Sequence, residues 1–308
     1  NKYSASDIDK LDFDVVFIHW CSNGLISPNE ISKLNVPYIL FMHDSWFSTG
    51  FEHHPLKNNF SKNFFDNILF EYKSKAVNNA SGIVFPSIWQ KEIFSTRYDL
   101  KMPIEIIPNV VEDNYKLNSP DILNNTFVVC LIGQRLFNNV SKGGDLLASV
   151  ISRLSSVEKN INFKFIIIGK ISRRIPVYLH NYDNICIEQK GELTHNEIID
   201  VLTNSHVFLN LSRFENLSTT NLEACYCNKP IIAFDVGGNS EMIIDDYNGF
   251  LCKPFDCNLV VRKLLLFCHG DIDIINFGRN SKSIFDSKFS KNVVLNKVLS
   301  FARSVVIK

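Results

Sequence analysis

The chain has 308 residues, 45% of them hydrophobic, and its 32 Lys and Arg are balanced by 32 Asp and Glu. That length suffices for two domains, and the zero formal charge argues against nucleic acid as the main partner. No apolar run reaches the ~18 residues of a membrane span, no signal-peptide pattern opens the chain, and eight Cys without a Cys-x2-Cys pair read as reduced, core-filling thiols of a cytoplasmic protein, with no zinc site.

A strand is expected over 11–20, where LDFDVVFIHW alternates and then runs apolar, as a buried parallel strand does. A short polar helix over 27–34 and a second strand over 36–42 follow, the latter closing on His43-Asp44-Ser45-Trp46. A neutral imidazole at a strand's carboxyl end is placed to hydrogen-bond a ligand hydroxyl, so His43 is a candidate site residue; an imidazole bonded to a backbone carbonyl is the competing reading. Trp46 reads as packing or as a wall for a ligand ring. His53 and His54 are adjacent, so their side chains diverge, and no carboxylate spacing supports a metal there. A helix over 67–78, a strand over 82–86, a helix over 89–94 and a short strand over 104–107 lead to a polar stretch at 115–125. Its Ser-Pro step marks it as a linker.

Beyond it a strand over 127–132 runs into Gly133-Gln134-Arg135 and then Ser141-Lys142-Gly143-Gly144. Arg135 and Lys142 bracket a strand-to-helix junction, the placement that neutralises a diphosphate; Arg offers a planar fork and Lys a point charge. Leu146, Leu147, Val150, Ile151 and Leu154 repeat at helical spacing over 145–154 and are core. Strands are expected over 163–168 and 185–188. Thr194-His195-Asn196-Glu197 is a capping box that opens a helix to 203, with Thr194 as the cap and His195 exposed. A strand over 206–211, a helix opened by Thr219, Thr220 and Asn221, and strands over 230–234 and 250–252 follow. Helices over 258–268 and 271–285 precede a last helix to 304, capped by Ser290.

The chain is organised around residues 212–241, SRFENLSTTNLEACYCNKPIIAFDVGGNSE. Glu215 and Glu223 stand with seven residues between them, the first in a polar loop after the strand and the second about one turn into the helix. Parallel α/β sheets bind ligands at the carboxyl ends of their strands. A helix starting there points unpaired N–H groups and a partial positive charge at an anion. Two carboxylates so placed can take hydroxyls on either side of a bound diphosphate.

This stretch resembles the Glu-x7-Glu signature of the retaining glycosyltransferases of GT-B fold, glycosyltransferase family 4 in particular. Cys227-Asn228-Lys229-Pro230, Gly237-Gly238-Asn239-Ser240-Glu241 and Asn248-Gly249-Phe250 follow in the family's order and spacing. The segment from His43 to Gly50 is similar to a loop in members that build bacterial surface polysaccharides, although Phe51-Glu52-His53-His54 replaces the usual Gly-Cys-His-Tyr. Pro108-Asn109-Val110-Val111-Glu112 resembles the family's crossing between domains, with Val110 where Gly is usual, and Gly133-Gln134-Arg135 with Lys142-Gly143 matches its Gly-x-Arg and Lys-Gly. Between the carboxylates this chain has Asn216-Leu217-Ser218 where the family has a small residue, so Leu217 leaves less room for the donor.

The resemblance implies an α/β, GT-B architecture: two Rossmann-like doubly wound domains facing across a cleft. The expected divisions are an acceptor-side domain over 1–118, a nucleotide-sugar-binding domain over 119–289 and a helix over 290–308 that crosses back to the first. Only four strands precede the linker and no Gly-rich first turn is present, so the first domain is expected to be truncated by roughly two βα units. The implied activity is retaining transfer of a hexosyl group from a nucleotide diphosphate sugar to a growing polysaccharide or lipid-linked oligosaccharide. Glu215, His43, Arg135 and Lys142 would serve the transfer. Gly133, Arg135, Lys142, Glu215, Ser218, Thr219, Thr220 and Glu223 would hold the donor. The resemblance brings no cofactor and no metal, no nucleic-acid partner, and a cytoplasmic protein with peripheral contact at the inner face of a membrane. A non-catalytic nucleotide- or glycan-binding relative and a sugar-nucleotide epimerase are the alternatives.

Overall fold

The computed structural model describes residues 2–21, 25–49, 64–115, 117, 126–170 and 182–306. His53, His54 and most of the expected linker (116 and 118–125) lie outside the described residues. The chain divides into two compact units, residues 1–109 with 292–308, and residues 110–291.

The first unit holds a parallel sheet, β1 (Val16–Ile18), β2 (Tyr38–Phe41), β3 (Gly82–Phe85) and β4 (Ile104–Ile106), in that spatial order. The strand expected over 11–20 shrinks to three residues. Ser4 and Asp7 form a capping box that starts α1 (Ala5–Asp9), and Asp12 adopts a left-handed φ of 52°, so the chain is still turning where the pattern read as extended. Helices α2 (Pro28–Ile31), α3 (Phe64–Asn78) and α4 (Ile88–Ser95) follow. One apolar core gathers Ile31, Leu40, Ala76, Phe85 and Phe94. A second joins Ile39 and Val84 of the sheet to Val294, Phe301 and Val305 of the last helix, α10 (Lys291–Val306). Gly82 makes that approach possible, since a Cβ there would lie 2.9 Å from the Phe301 ring. The start of α10 is held otherwise than expected. Asp113 accepts from the Lys291 N–H at 2.8 Å, while the Ser290 hydroxyl donates back to the Asp286 carbonyl.

The second unit is a six-stranded parallel sheet of β5 (Thr126–Ile132), β6 (Asn162–Ile168), β7 (Ile185–Gly191), β8 (Val207–Asn210), β9 (Ile231–Phe234) and β10 (Gly249–Cys252). Its spatial order is β10-β9-β8-β5-β6-β7. Numbered from the unit's own first strand this reads 6-5-4-1-2-3, the doubly wound dinucleotide-binding order. Central strands buried on both faces explain the unbroken apolar runs of β5, β8 and β9. Helices α5 (Gly144–Val157), α6 (His195–Thr203), α7 (Thr219–Tyr226), α8 (Cys257–Cys268) and α9 (Ile274–Lys288) cover the sheet. Two apolar clusters result, one including Val129, Leu147, Phe165 and Leu264, the other Cys130, Phe208, Leu222 and Phe285. The cysteines are all unpaired, and Cys186 is the exposed one.

Candidate active site

Strand order reverses between β5 and β8, which pair side by side through Val129 and Val207. In a doubly wound sheet the loops leaving two such strands diverge to opposite faces and open a crevice at their carboxyl ends. The loop after β5 carries Gly133, Arg135 and Lys142; the loop after β8 carries Glu215 and enters α7. Lys142 Nζ donates to Glu215 Oε1 at 2.8 Å across this junction, with the carboxylate side chain 14% exposed.

Backbone contacts hold the two loops together. Gly143 has a φ of 72° and lies so near β8's end that a Cβ would meet the Leu211 carbonyl at 2.1 Å. The Arg213 N–H donates to the Ser141 carbonyl, and its guanidinium grips Asp145 with both terminal nitrogens and the Val140 carbonyl with one. Arg213 therefore clamps the segment bearing Lys142 to the segment bearing Glu215, using the planar fork that a lysine lacks.

Ser218 caps α7: its Oγ accepts from the Asn221 N–H and lies 3.0 Å from the Thr220 hydroxyl. Beneath it runs a buried amide chain. Asn210 Nδ2 donates to Asn221 Oδ1 at 2.9 Å, Asn221 Nδ2 to Asn239 Oδ1 at 3.0 Å, and Asn239 Nδ2 to the Phe234 carbonyl. Gly237 has a φ of 58°, and a Cβ there would sit 1.5 Å from the Glu215 carbonyl oxygen; the Gly238 N–H donates to the Asn216 carbonyl at 3.0 Å. The Gly-Gly pair thus seats the Glu215 loop from below.

Glu223 is 9% exposed, and burial pushes its carboxyl up to about 7. His195, expected on the surface, is half-buried, with Nδ1 3.6 Å from Glu223 Oε1. The capping box around it forms as the sequence indicates; contacts with Glu223 and Tyr115, distant in sequence, cover the imidazole. Arg135 is exposed in a left-handed conformation, φ 54°. Gly133 is buried and its N–H is committed to the Ile168 carbonyl, so that N–H holds the sheet and is not pointed at a ligand. Thr219 is exposed at the start of α7.

His43 belongs to the first unit, in a pocket at the end of β2 lined by Ile18, His19, Cys21, Phe41 and Trp46. Its Nδ1 lies 3.3 Å from Asn109 Oδ1 and its Nε2 3.0 Å from His19 Nδ1. An amide oxygen only accepts, so His43 carries its proton on Nδ1 and His19 donates to Nε2. Burial lowers the pKa of both rings, which keeps them neutral. Lys73 supports the loop that follows: buried and pulled down to about 8 by that burial, it donates to the Trp46 carbonyl and stands 4.3 Å over the indole.

The structure brings Lys142 to Glu215 and sets Ser218, Thr219, Thr220 and Glu223 on one helix start. Sequence reading missed Arg213, the Asn210-Asn221-Asn239 chain, His19 and Lys73. An Arg two residues before a candidate carboxylate was the one legible signal among them. The motifs at 227–230 and 248–250 prove structural. Asn228 takes a φ of 56° to end α7, Lys229 Nζ donates to the Thr203 and Ser205 carbonyls, and Asn248 accepts from the Ile244 N–H.

The chain is similar to known proteins over most of its length. Residues 120–283 match the family described as "Glycosyl transferases group 1", and residues 2–115 match "Glycosyltransferase Family 4". An uncharacterised glycosyltransferase of Methanocaldococcus jannaschii is 27% identical over 290 residues, 94% of this chain and 74% of that protein. The gpi3 subunit of the phosphatidylinositol N-acetylglucosaminyltransferase of Schizosaccharomyces pombe is 28% identical over 144 residues, 46% of this chain but only 30% of its own length. The crystal structure of Anabaena HepE with UDP superposes with a TM-score of 0.72 at 15% identity, covering 97% of this chain and 82% of that one.

Proposed function

Because the chain belongs to the group 1 glycosyl transferases, whose GT-B fold its two parallel sheets share, we propose that it is a retaining glycosyltransferase. The reaction moves a hexosyl group from a nucleotide diphosphate sugar to a glycan or lipid-linked glycan. The observation that carries this reading is the Lys142–Glu215 pair, closed at 2.8 Å over the point where strand order reverses.

In this reading the donor's diphosphate lies over the start of α7, near Lys142 and Arg135, with N–H groups around Ser218 to Thr220 turned toward it. Glu215 accepts from donor-sugar hydroxyls and Glu223 from the ribose. The bond from the anomeric carbon to the diphosphate oxygen breaks, and a bond to the acceptor oxygen forms on the same face. The acceptor's proton passes to the departing phosphate. Lys142 and Arg135 stabilise the charge that grows on the diphosphate as it leaves.

UDP is the first nucleotide to try, since solved proteins of like fold hold it. The test is a thermal-shift panel of UDP-, GDP-, ADP- and TDP-sugars with Glu223→Ala as control. A shift with one nucleotide, lost in the variant, is expected; no shift with any of them overturns the reading. With the donor in hand, the anomeric proton of the product by NMR decides retention, and an inverted product rejects that part.

A further inference from the structure

His195 and Glu223 come from different helices and meet inside the second unit. His195 is the first residue of α6, yet it takes no part in starting that helix, because Thr194 and Glu197 exchange the capping hydrogen bonds. Its Nδ1 lies 3.6 Å from Glu223 Oε1, and the ring packs on Tyr115 with centroids 5.1 Å apart. Its other nitrogen, Nε2, is buried and has no hydrogen-bond partner among the described residues. A histidine that served only to hold the fold would have its buried nitrogens satisfied. Here Nε2 is left over, while Nδ1 faces the carboxylate at 3.6 Å, just beyond hydrogen-bond length.

The titratable groups set around Glu223 among the described residues are His195 from α6, Cys130 from β5 and Cys227 from the same helix. Burial raises the Cys130 thiol and pushes that of Cys227 up to about 12, so both are neutral near pH 7. Lys229 acts on both thiols, and its ammonium is committed to two carbonyls at the end of α6. That leaves His195 as the group facing the carboxylate that can oppose its desolvation.

Resting on the reading of Glu223 as the ribose-binding carboxylate, we propose that His195 is a positioning residue for donor binding. Its Nδ1–H favours the ionised form of the Glu223 carboxyl against its desolvation and turns the group to accept from the ribose hydroxyls. The sign of the pH effect follows. With His195 in place, burial already raises the Glu223 carboxyl to about 7. Taking away a neighbouring donor that favours the charged form raises it further, so without the imidazole the carboxyl stays neutral to a higher pH than in the parent. A neutral carboxyl is the weaker acceptor. Nucleotide affinity then falls as pH drops through 7 and recovers as pH rises.

The experiment is calorimetric titration of the whole chain with UDP near pH 6 and near pH 8. His195→Ala is expected to lose about tenfold in affinity at the lower pH and to recover most of it at the higher. His195→Asn, whose amide N–H can stand where Nδ1–H was, should stay close to the parent, and adding H195A to E223Q should change nothing further. Parent-like binding of H195A at both pH values overturns the proposal, as does an additive loss in the double variant. A second measurement needs no nucleotide: the Glu223 carboxyl, raised to about 7 by burial, should lose its proton at higher pH in H195A than in the parent when followed by NMR. Equal midpoints overturn the pair. A shifted midpoint with no UDP binding by any variant, the parent included, overturns the donor role and the reading of the site together.

Discussion

Lys142 stands at the most exacting position in the candidate site, because it contacts Glu215 and is the cation assigned to the diphosphate. Preorganised donors aimed at developing charge contribute about 2.7–4 kcal/mol each. Lys142→Gln should therefore lower turnover by roughly two to three orders of magnitude with the fold intact by circular dichroism. Wild-type turnover in that variant would remove Lys142 from the mechanism. At this scale the sequence singles out Arg135, Lys142, Glu215 and Glu223 by residue type and place, and the structure brings two of them, Lys142 and Glu215, into contact. The sequence was uninformative where burial decides the role. Nothing local distinguishes His195, which turns inward to Glu223, from an exposed first-turn residue.

Between elements, the site depends on an amide chain that joins β8, α7 and the turn after β9. Asn221 lies at its centre, fully buried, donating to Asn239 and accepting from Asn210. Removing its amide orphans a donor on one side and an acceptor on the other, each at about 1–3 kcal/mol. Asn221→Ala should thus destabilise the second unit by about 2 kcal/mol or more in urea denaturation and weaken nucleotide binding, although Asn221 is not among the groups assigned to the donor. A loss of a few tenths of a kcal/mol would mean that the chain does not hold these elements. The helices and strands were largely legible because periodicity is local, and the capping box at Thr194 formed as read. The miss at 11–20 is also local in cause: Asp12 turns left-handed, and apolar alternation alone carries no signal for that.

In the whole chain, the two units draw on the sequence unequally. Residues 110–291 are one continuous stretch, whereas the unit begun by residues 1–109 is completed by residues 292–308. Phe301 of the closing helix is 7% exposed and packs where Gly82 leaves room on β3. Phe301→Ala should cost about 3 kcal/mol, as large-to-small core changes do. It should lower the unfolding midpoint of the first unit while nucleotide binding by the second, measured below that transition, persists. No helix among the described residues is long and apolar enough to cross a membrane.

By itself the sequence determined the alternation of strands and helices, the core faces and the two carboxylates flanking a helix start, because each is written within a few residues of itself. Only the tertiary structure decided that β5 lies beside β8, so that Lys142 meets Glu215 across 73 residues of chain. It likewise decided that α6 brings His195 to Glu223. The physical reason is that strand order is fixed by the joint burial of all six strands, a condition no single segment carries.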